Sequence, residues 1–81
     1  MRPPALTVDA RGHKCPVPSL RLRKAMEGLP AGARLTLLAT DAMARIDAPF
    51  LMQDLGGRVI QITETDGVLA ITVETGDAPT G

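Results

Sequence analysis

The sequence predicts an α/β fold, a two-layer α/β sandwich in which two helices cover one face of a four-stranded mixed sheet. Segments with alternating apolar residues and segments with helical spacing follow one another in the order β-α-β-α-β-β. Asp66-Gly67 joins the last two alternating segments, and this dipeptide is typical of a β-hairpin turn. The hairpin makes the last strand antiparallel to the third, so the predicted sheet is mixed.

The first half of the chain contains a strand, a helix and a second strand. Leu6–Asp9 alternates apolar and polar residues, and Arg11-Gly12 breaks this strand. The first helix is predicted to begin at Pro16, where a missing N–H costs nothing, and to end at Gly28-Leu29-Pro30. Arg34–Thr40 is more continuously apolar, which indicates a central strand. The buried helical face follows the i, i+3, i+4, i+7 spacing of Leu22, Ala25, Met26 and Leu29.

The second half contains a helix and the hairpin. Residues 41–45 are ambiguous, and the helix is predicted to restart at Asp47-Ala48-Pro49 and to end at Gly56-Gly57. The hairpin strands are Arg58–Thr65 and Val68–Thr75. The buried face of the second helix comprises Ala48, Leu51, Met52 and Leu55. The sheet residues predicted to face the helices are Ile60, Ile62, Leu69, Ile71 and Val73. Those predicted to face water are Gln61, Thr63, Ala70, Thr72 and Glu74.

The length of 81 residues corresponds to one small domain, residues 1–81. We expect an ordered core over about residues 5–75, a frayed start over 1–4 and a flexible polar tail over 76–81. One cysteine excludes an internal disulfide, and an unpaired thiol suits a reducing compartment. The N-terminus lacks the pattern of a signal peptide, and no stretch has the length of a membrane span. These features predict a cytoplasmic protein.

Charge is balanced overall but unevenly distributed. The formal net charge is zero, which argues against nonspecific attraction to nucleic acid or membrane. Residues 11–24 nevertheless contain five bases and no acid, whereas the chain from Asp47 onward contains six acids and only Arg58 as a base. The basic residues of the first region are Arg11, Lys14, Arg21, Arg23 and Lys24. The positive region is therefore the one that contains the only cysteine.

Cys15 lies where the first strand gives way to the first helix, and we predict that it is the N-cap residue. The start of a helix carries partial positive charge and unpaired N–H groups, which favour a thiolate. Pro16 and Pro18 stiffen this turn, and Lys14 adds positive charge. These features predict an exposed nucleophile with a lowered thiol pKa. A lone cysteine is more often a buried, inert apolar residue, but the Cys-Pro-Val-Pro context favours the reactive interpretation.

The segment Asp9–Pro18 (DARGHKCPVP) closely resembles the N-terminal signature of the TusA/SirA-like family of small sulfur carriers. Leu22–Lys24, Asp47–Pro49 and Glu64–Gly67 also resemble that family, and the similarity extends over roughly residues 6 to 75. The resemblance implies a two-layer sandwich and a cysteine, Cys15, that carries sulfane sulfur as a persulfide. Its donors would be cysteine desulfurases or rhodanese-like enzymes. The acceptor proteins would lead to tRNA thiolation, molybdenum-cofactor enzymes or sulfur metabolism.

Two residues depart from the family pattern. His13 occupies a position that is usually apolar, and Met52 occupies the position where some members carry a second cysteine. Without a second thiol, a persulfide on Cys15 has no internal partner with which to form a disulfide. This favours a carrier that passes its sulfur to another protein. His13 either tunes the charge of the thiolate or is a partly buried turn residue that replaces an apolar one, and we favour the second alternative.

Other residues near Cys15 have predicted supporting roles. Arg11 either positions the loop through Asp9 or lines the sulfur site, and the sequence does not separate these roles. Gly12, His13, Lys14, Pro16 and Pro18 complete the predicted supporting motif. A docking patch is predicted from one exposed apolar residue with a basic rim. Its members are Leu20, Arg21 and Lys24, with Arg23 beside them. Phe50 lies off the core stripe of the second helix and is expected to pack on the sheet edge.

The leading functional prediction is a sulfur carrier, or sulfurtransferase in the broad sense, that needs no cofactor and no metal. Its partners would be a sulfur donor protein and an acceptor protein, and the carrier itself would be a monomer. The alternative is a regulatory or interaction domain of the same fold, in which Cys15 is structural or redox-sensing. An RNA-binding module is disfavoured, because the chain is neutral and has no exposed aromatic residues predicted for base stacking.

Overall fold

A computed structural model describes residues 6–14 and 17–76 of the chain. The predicted N-cap role of Cys15, the start of the helix at Pro16, the frayed start at residues 1–4 and nearly all of the predicted tail lie outside the described residues. The six elements follow the predicted order. They are β1 (Leu6–Ala10), α1 (Val17–Met26), β2 (Arg34–Ala39), α2 (Ala44–Asp54), β3 (Arg58–Thr65) and β4 (Val68–Glu74).

The four strands form one mixed sheet in the order β1-β2-β4-β3. β1 and β2 are parallel, whereas β4 pairs antiparallel with both β2 and β3. The turn between β3 and β4 has Asp66 at φ 50° and Gly67 at φ 79°. Positive φ at both central residues is the geometry that Asp-Gly favours in a tight hairpin, so the predicted hairpin is confirmed.

The core lies between the sheet and the two helices. Alternate residues of β2 and β4 are buried against the helices, as their apolar pattern predicts. From the sheet these are Ala10, Leu35, Leu37, Ala39, Leu69, Ile71 and Val73; from the helices they are Leu22, Ala44, Ala48 and Met52. Ala25, Met26, Leu29 and Leu51 pack against this cluster while partly exposed. Neither described helix is long and apolar enough to cross a membrane.

The end of α1 follows the predicted glycine stop. Gly28 has φ 79°, and Leu29 N–H donates to the carbonyl of Met26 over 3.1 Å. A glycine adopts this left-handed conformation without the steric cost that a side chain would bring. Leu29 then packs against the core, as expected for the apolar residue that follows such a glycine.

The predicted start of α2 is wrong by about one turn. The helix begins at Ala44, so Pro49 is an interior residue rather than a residue of the first turn. The carboxylate of Asp41 accepts the N–H of Met43 over 3.0 Å, and its carbonyl accepts the N–H of Ala44 over 3.0 Å. These bonds nucleate the helix upstream of the proline, whose ring disfavours the helical conformation mainly at the residue before it.

The prediction that Ile60 faces the helices is also wrong. The pairing of β3 with β4 shifts register between Val59 and Gln61, which is the signature of a β-bulge. Val59 and Ile62 consequently pack against the core, while Ile60 is 38% exposed. A single inserted residue reverses the alternation, which strict period-two spacing does not reveal.

Candidate functional site

The candidate site lies at the carboxyl edge of the two parallel strands. β1 continues into the loop Arg11–Lys14, and β2 continues into the loop that begins at Thr40. Because β1 and β2 are parallel, both loops leave the sheet at the same edge. They line an open cleft of ≈ 400 Å³. Its lining residues are Gly12, His13, Lys14, Thr40, Asp41 and Ala42.

Arg11 is held by Asp9 at the start of the loop. The guanidinium donates to both carboxylate oxygens of Asp9, Nε to Oδ1 over 2.9 Å and Nη2 to Oδ2 over 2.8 Å. The backbone N–H of Arg11 also donates to Oδ1 over 3.1 Å. These hydrogen bonds, together with the positive charge, hold the pKa of Asp9 well below its usual range and raise that of Arg11. These contacts are the ones that the loop-positioning role of Arg11 requires, and that role stays a prediction.

Gly12 connects the two loops. Its backbone N–H donates to the hydroxyl of Thr40 over 2.8 Å, while His13 N–H donates to the carbonyl of Ala10 over 3.2 Å. Gly12 adopts φ +83°, and a Cβ at this position would meet nothing within 4 Å. The glycine is therefore required by its left-handed backbone conformation rather than by close packing.

His13 and Lys14 are both exposed beside the cleft. The favoured prediction of a partly buried His13 is wrong, because the residue is exposed at the mouth of the cleft. A hydrogen bond of 2.9 Å from Val17 N–H to the carbonyl of Lys14 spans positions 15 and 16. Lys14 and Val17, the described residues on either side of this pair, are thus linked directly by a backbone hydrogen bond.

Pro18 and Ser19, in the first turn of α1, were not among the residues predicted to be buried. Pro18 belongs to the largest fully buried side chains, so it packs in the core as well as stiffening the turn. The hydroxyl of Ser19 is buried and has no hydrogen-bond partner among the described residues. Its position three residues before the buried Leu22 is the sequence signal that would have placed it beside the core.

The predicted docking residues lie on the solvent side of α1. Leu20 is 58% exposed, and Arg21 and Lys24 are exposed as well. The ion pairs between described residues join Arg11, Arg34, Arg45 and Arg58 to acids, and none of them involves a cation of α1. The cations of α1 therefore form no direct ion pair among the described residues, but the pKa of Asp9, lowered mainly by Arg11, is lowered further by the charge of Arg21.

Met52 fills the position that the resemblance matches to a second cysteine. Its side chain is 1% exposed and belongs to the core on the inner face of α2.

In the described residues, no group of three or more His, Cys, Asp and Glu side chains is placed to hold a metal ion.

Thr40 and Asp41 belong to the site although the motif around Cys15 does not include them. Thr40 accepts the hydrogen bond from Gly12, and Asp41 shapes the start of α2. The available signal was topological, because both residues follow a strand predicted to be parallel to β1. The carboxyl ends of such strands meet at one edge.

Comparisons with known proteins agree with this architecture. A family model described as "Sulfurtransferase TusA" matches residues 6–75. The chain is 36% identical over 64 residues to the sulfur carrier protein TusA of Pseudomonas putida, covering 79% of this chain and 80% of that protein. The crystal structure of a SirA-like protein from Desulfitobacterium hafniense superimposes with a TM-score of 0.77 at 32% identity, covering 88% of this chain and 97% of that one.

Proposed function

The chain belongs to the TusA family of sulfur carriers, and from this premise we propose that Cys15 carries sulfane sulfur as a persulfide between two partner proteins. The observation that supports this proposal best is the anchored, open loop that leads to Cys15. The Asp9–Arg11 pair fixes its start and the Gly12–Thr40 hydrogen bond fixes its middle. A fixed loop with an exposed end favours approach of a partner's sulfur to the thiol that follows Lys14.

The transfer needs no net oxidation or reduction. The Cys15 thiolate attacks the terminal sulfur of the donor's persulfide, so that a new S–S bond forms at Cys15 as the donor's S–S bond breaks. The donor cysteine leaves as a thiolate, and the proton of the persulfide stays with the transferred sulfur. The acceptor thiolate then repeats the same exchange on Cys15, which returns to its thiolate form. Lys14 and the positive start of α1 would stabilise the thiolate at each stage.

Intact-mass spectrometry tests the proposal directly. The protein is incubated with a cysteine desulfurase plus cysteine, and separately with a rhodanese plus thiosulfate. We expect a mass gain of one sulfur atom, reversed by reductant and absent in Cys15→Ser. If neither donor produces this gain, the regulatory or interaction domain becomes the better interpretation. The donor that succeeds narrows the pathway among tRNA thiolation, molybdenum-cofactor enzymes and sulfur metabolism.

The cations of α1 would guide the donor to this site. Leu20 supplies an exposed apolar contact, and Arg21 and Lys24 supply exposed positive charge that forms no direct ion pair among the described residues. Such charges accelerate association with an acidic partner, and added salt screens their effect. We expect Lys24→Gln to slow sulfur acceptance from a protein donor at low salt by about twofold or more, with the difference shrinking at high salt.

A matched control is available at the opposite edge of the sheet. Arg58→Gln removes the same charge from an exposed position at the start of β3, where it breaks a surface ion pair with Glu74. It should leave the acceptance rate unchanged. Equal rates for wild type and Lys24→Gln, or equal slowing in both variants, would show that α1 does not guide the donor.

A carrier with a single thiol suits a reducing compartment such as the cytosol.

A further inference from the structure

Ser19 carries a hydroxyl that neither the core nor the transfer of sulfur described above uses. Its oxygen is buried and has no hydrogen-bond partner among the described residues. Burial of a hydroxyl without a partner destabilises a fold, and such groups are rare in native proteins. A hydroxyl that the fold retains at this cost is a candidate for a role in the chemistry of the neighbouring site.

Ser19 lies on the core side of the first turn of α1. Its neighbour Pro18 and the later Leu22 are buried, whereas Leu20 and Arg21 face solvent. The helix follows the carboxyl end of β1 and packs against both parallel strands, so its first turn lies at the edge of the sheet that carries the cleft. The buried hydroxyl is therefore at the same edge as the loop that leads to Cys15.

The geometry of a helix directs this hydroxyl back towards position 15. Each Cα–Cβ bond of an α-helix tilts towards the N-terminus, and side chains at i and i+4 share one face. Position 15 is four residues before Ser19, which corresponds to about 6 Å along a helix axis. The hydrogen bond from Val17 N–H to the carbonyl of Lys14 turns the chain around positions 15 and 16 directly ahead of α1.

We propose that the hydroxyl of Ser19 donates a hydrogen bond to the thiolate of Cys15, the form that accepts sulfur from the donor and is released when the acceptor takes it. This inference rests on the proposed function. A hydrogen bond to an ion is stronger than one between neutral groups, and a neutral thiol is only a weak acceptor. The hydroxyl therefore gains its partner when Cys15 ionises. It keeps its own proton throughout, so the exchange of S–S bonds is unchanged in atoms and electrons.

The pH dependence of alkylation by iodoacetamide tests this hydrogen bond without any sulfur donor. We expect Ser19→Ala to raise the midpoint of the alkylation rate by about one pH unit, because the charged form loses a hydrogen bond. Below both midpoints the variant should react about threefold more slowly, since an about tenfold smaller thiolate fraction is partly offset by a more nucleophilic thiolate. Above both midpoints it should react about threefold faster, whereas a merely structural defect would slow the reaction at every pH.

Three variants serve as controls, and each should keep the wild-type midpoint. Ser19→Thr retains the hydroxyl. Thr72→Val removes a part-buried hydroxyl from β4, between two residues that face the helices. Phe50→Ala shortens a side chain of α2 that is 70% exposed rather than packed on the sheet edge as expected.

The charges near Cys15 are the same in all of these proteins. His13, Lys14 and Asp41 line the cleft and are not altered, so a shift in Ser19→Ala alone reports the hydroxyl. The substitution removes a group without a described partner, so it is not expected to unfold the chain. Circular dichroism confirms that each variant is folded under the assay conditions.

Loading by inorganic polysulfide connects the hydroxyl to sulfur transfer. The thiolate attacks a sulfur of the polysulfide, one S–S bond forms as another breaks, and a shorter polysulfide leaves. Below both midpoints we expect Ser19→Ala to gain the added sulfur about threefold more slowly than wild type, as intact-mass spectrometry would follow, and Ser19→Thr to keep the wild-type rate.

Each other outcome counts against the inference. An unchanged midpoint in Ser19→Ala overturns it and would make ordered water the partner of the hydroxyl. An equal shift in Thr72→Val overturns it too, and so does a Ser19→Thr variant that behaves like Ser19→Ala. Failure of the wild type to gain sulfur from a cysteine desulfurase, a rhodanese or polysulfide would overturn the proposed function. The alkylation profile needs none of these donors, so the two failures are distinguishable.

Discussion

A cysteine at position 52 tests whether a second thiol there could react with a persulfide on Cys15. Met52 lies eight residues after Ala44, where α2 begins at the site edge. At about 1.5 Å per residue this is roughly 12 Å along the helix axis. Two cysteines form a disulfide only when their Cα atoms are within about 7 Å. We therefore expect that Met52→Cys does not form a disulfide with Cys15, even when Cys15 carries a persulfide. On this geometry the methionine at position 52 is not by itself what denies the persulfide an internal partner.

The same substitution has a cost in stability that the burial of Met52 determines. The side chain is 1% exposed, and cysteine replaces it with roughly two buried methylene equivalents fewer, worth about 0.8 kcal/mol each. The cavity left behind adds to this loss, so the free energy of unfolding should fall by about 2–3 kcal/mol. For a domain of this size the melting temperature would fall by roughly 10–20 °C. Met52→Leu conserves volume and should cost less than about 1.5 kcal/mol.

Urea unfolding and intact-mass spectrometry measure the two effects. The persulfide-loaded Met52→Cys variant should keep its added sulfur and should yield no cross-linked peptide under non-reducing conditions. Attack of the introduced thiol on the persulfide would instead expel hydrogen sulfide and leave a disulfide between Cys15 and the introduced thiol. That product would refute the separation argument, and a loss below about 1 kcal/mol would refute the packing argument.

Three further substitutions test local features of the fold. Ser19→Ala should raise the free energy of unfolding by about 1 kcal/mol in urea titrations, because it removes a buried hydroxyl without a described partner; a decrease would reveal a partner. Arg11→Gln should raise the pKa of Asp9 towards its ordinary value of 3.8, which the carboxyl chemical shift in an NMR titration would report. The Asp9–Arg11 ion pair stabilises the fold at pH values above the ordinary pKa of Asp9, and this stabilisation is lost as pH falls through the lowered pKa of the folded state. An unchanged titration of Asp9 in the variant would contradict this. Gly57→Ala places a Cβ 2.5 Å from both the backbone carbonyl oxygen of Glu74 and the methyl group of Met52. It should lower stability by about 1–3 kcal/mol, because the backbone cannot move aside as the methionine can; a neutral effect in thermal melts would contradict this.

The element order and the hairpin were predictable because local sequence decides them. Asp66-Gly67 supplies the two positive φ angles of its turn, and Gly28 supplies the left-handed end of α1. The buried residues of β2 and β4 follow simple alternation, so the core was predictable as well. In each case the residue type and its spacing alone select the conformation.

The errors arise where a non-local or side-chain interaction overrides the pattern. The bulge after Val59 moves Ile60 outward, and only the pairing with β4 reveals it. The Asp41 carboxylate starts α2 ahead of Pro49, whose usual place in a first turn suggested a later start. At the site, Gly12 and Lys14 were predicted from the motif around Cys15. Thr40 lines the same cleft only because β1 and β2 are parallel and end at one edge, which the motif does not reveal.

The two borders of the sheet carry features that disfavour pairing with a second copy of the chain. A bare strand at the border of a sheet offers unpaired N–H and C=O groups to any passing chain and invites aggregation. Here β1 is only five residues long, and β3 is irregular after Val59. An ion pair from Arg45 to Glu64 also places charge beside β3. Both borders therefore disfavour strand addition, so a transient partner of this chain would not be held by backbone pairing.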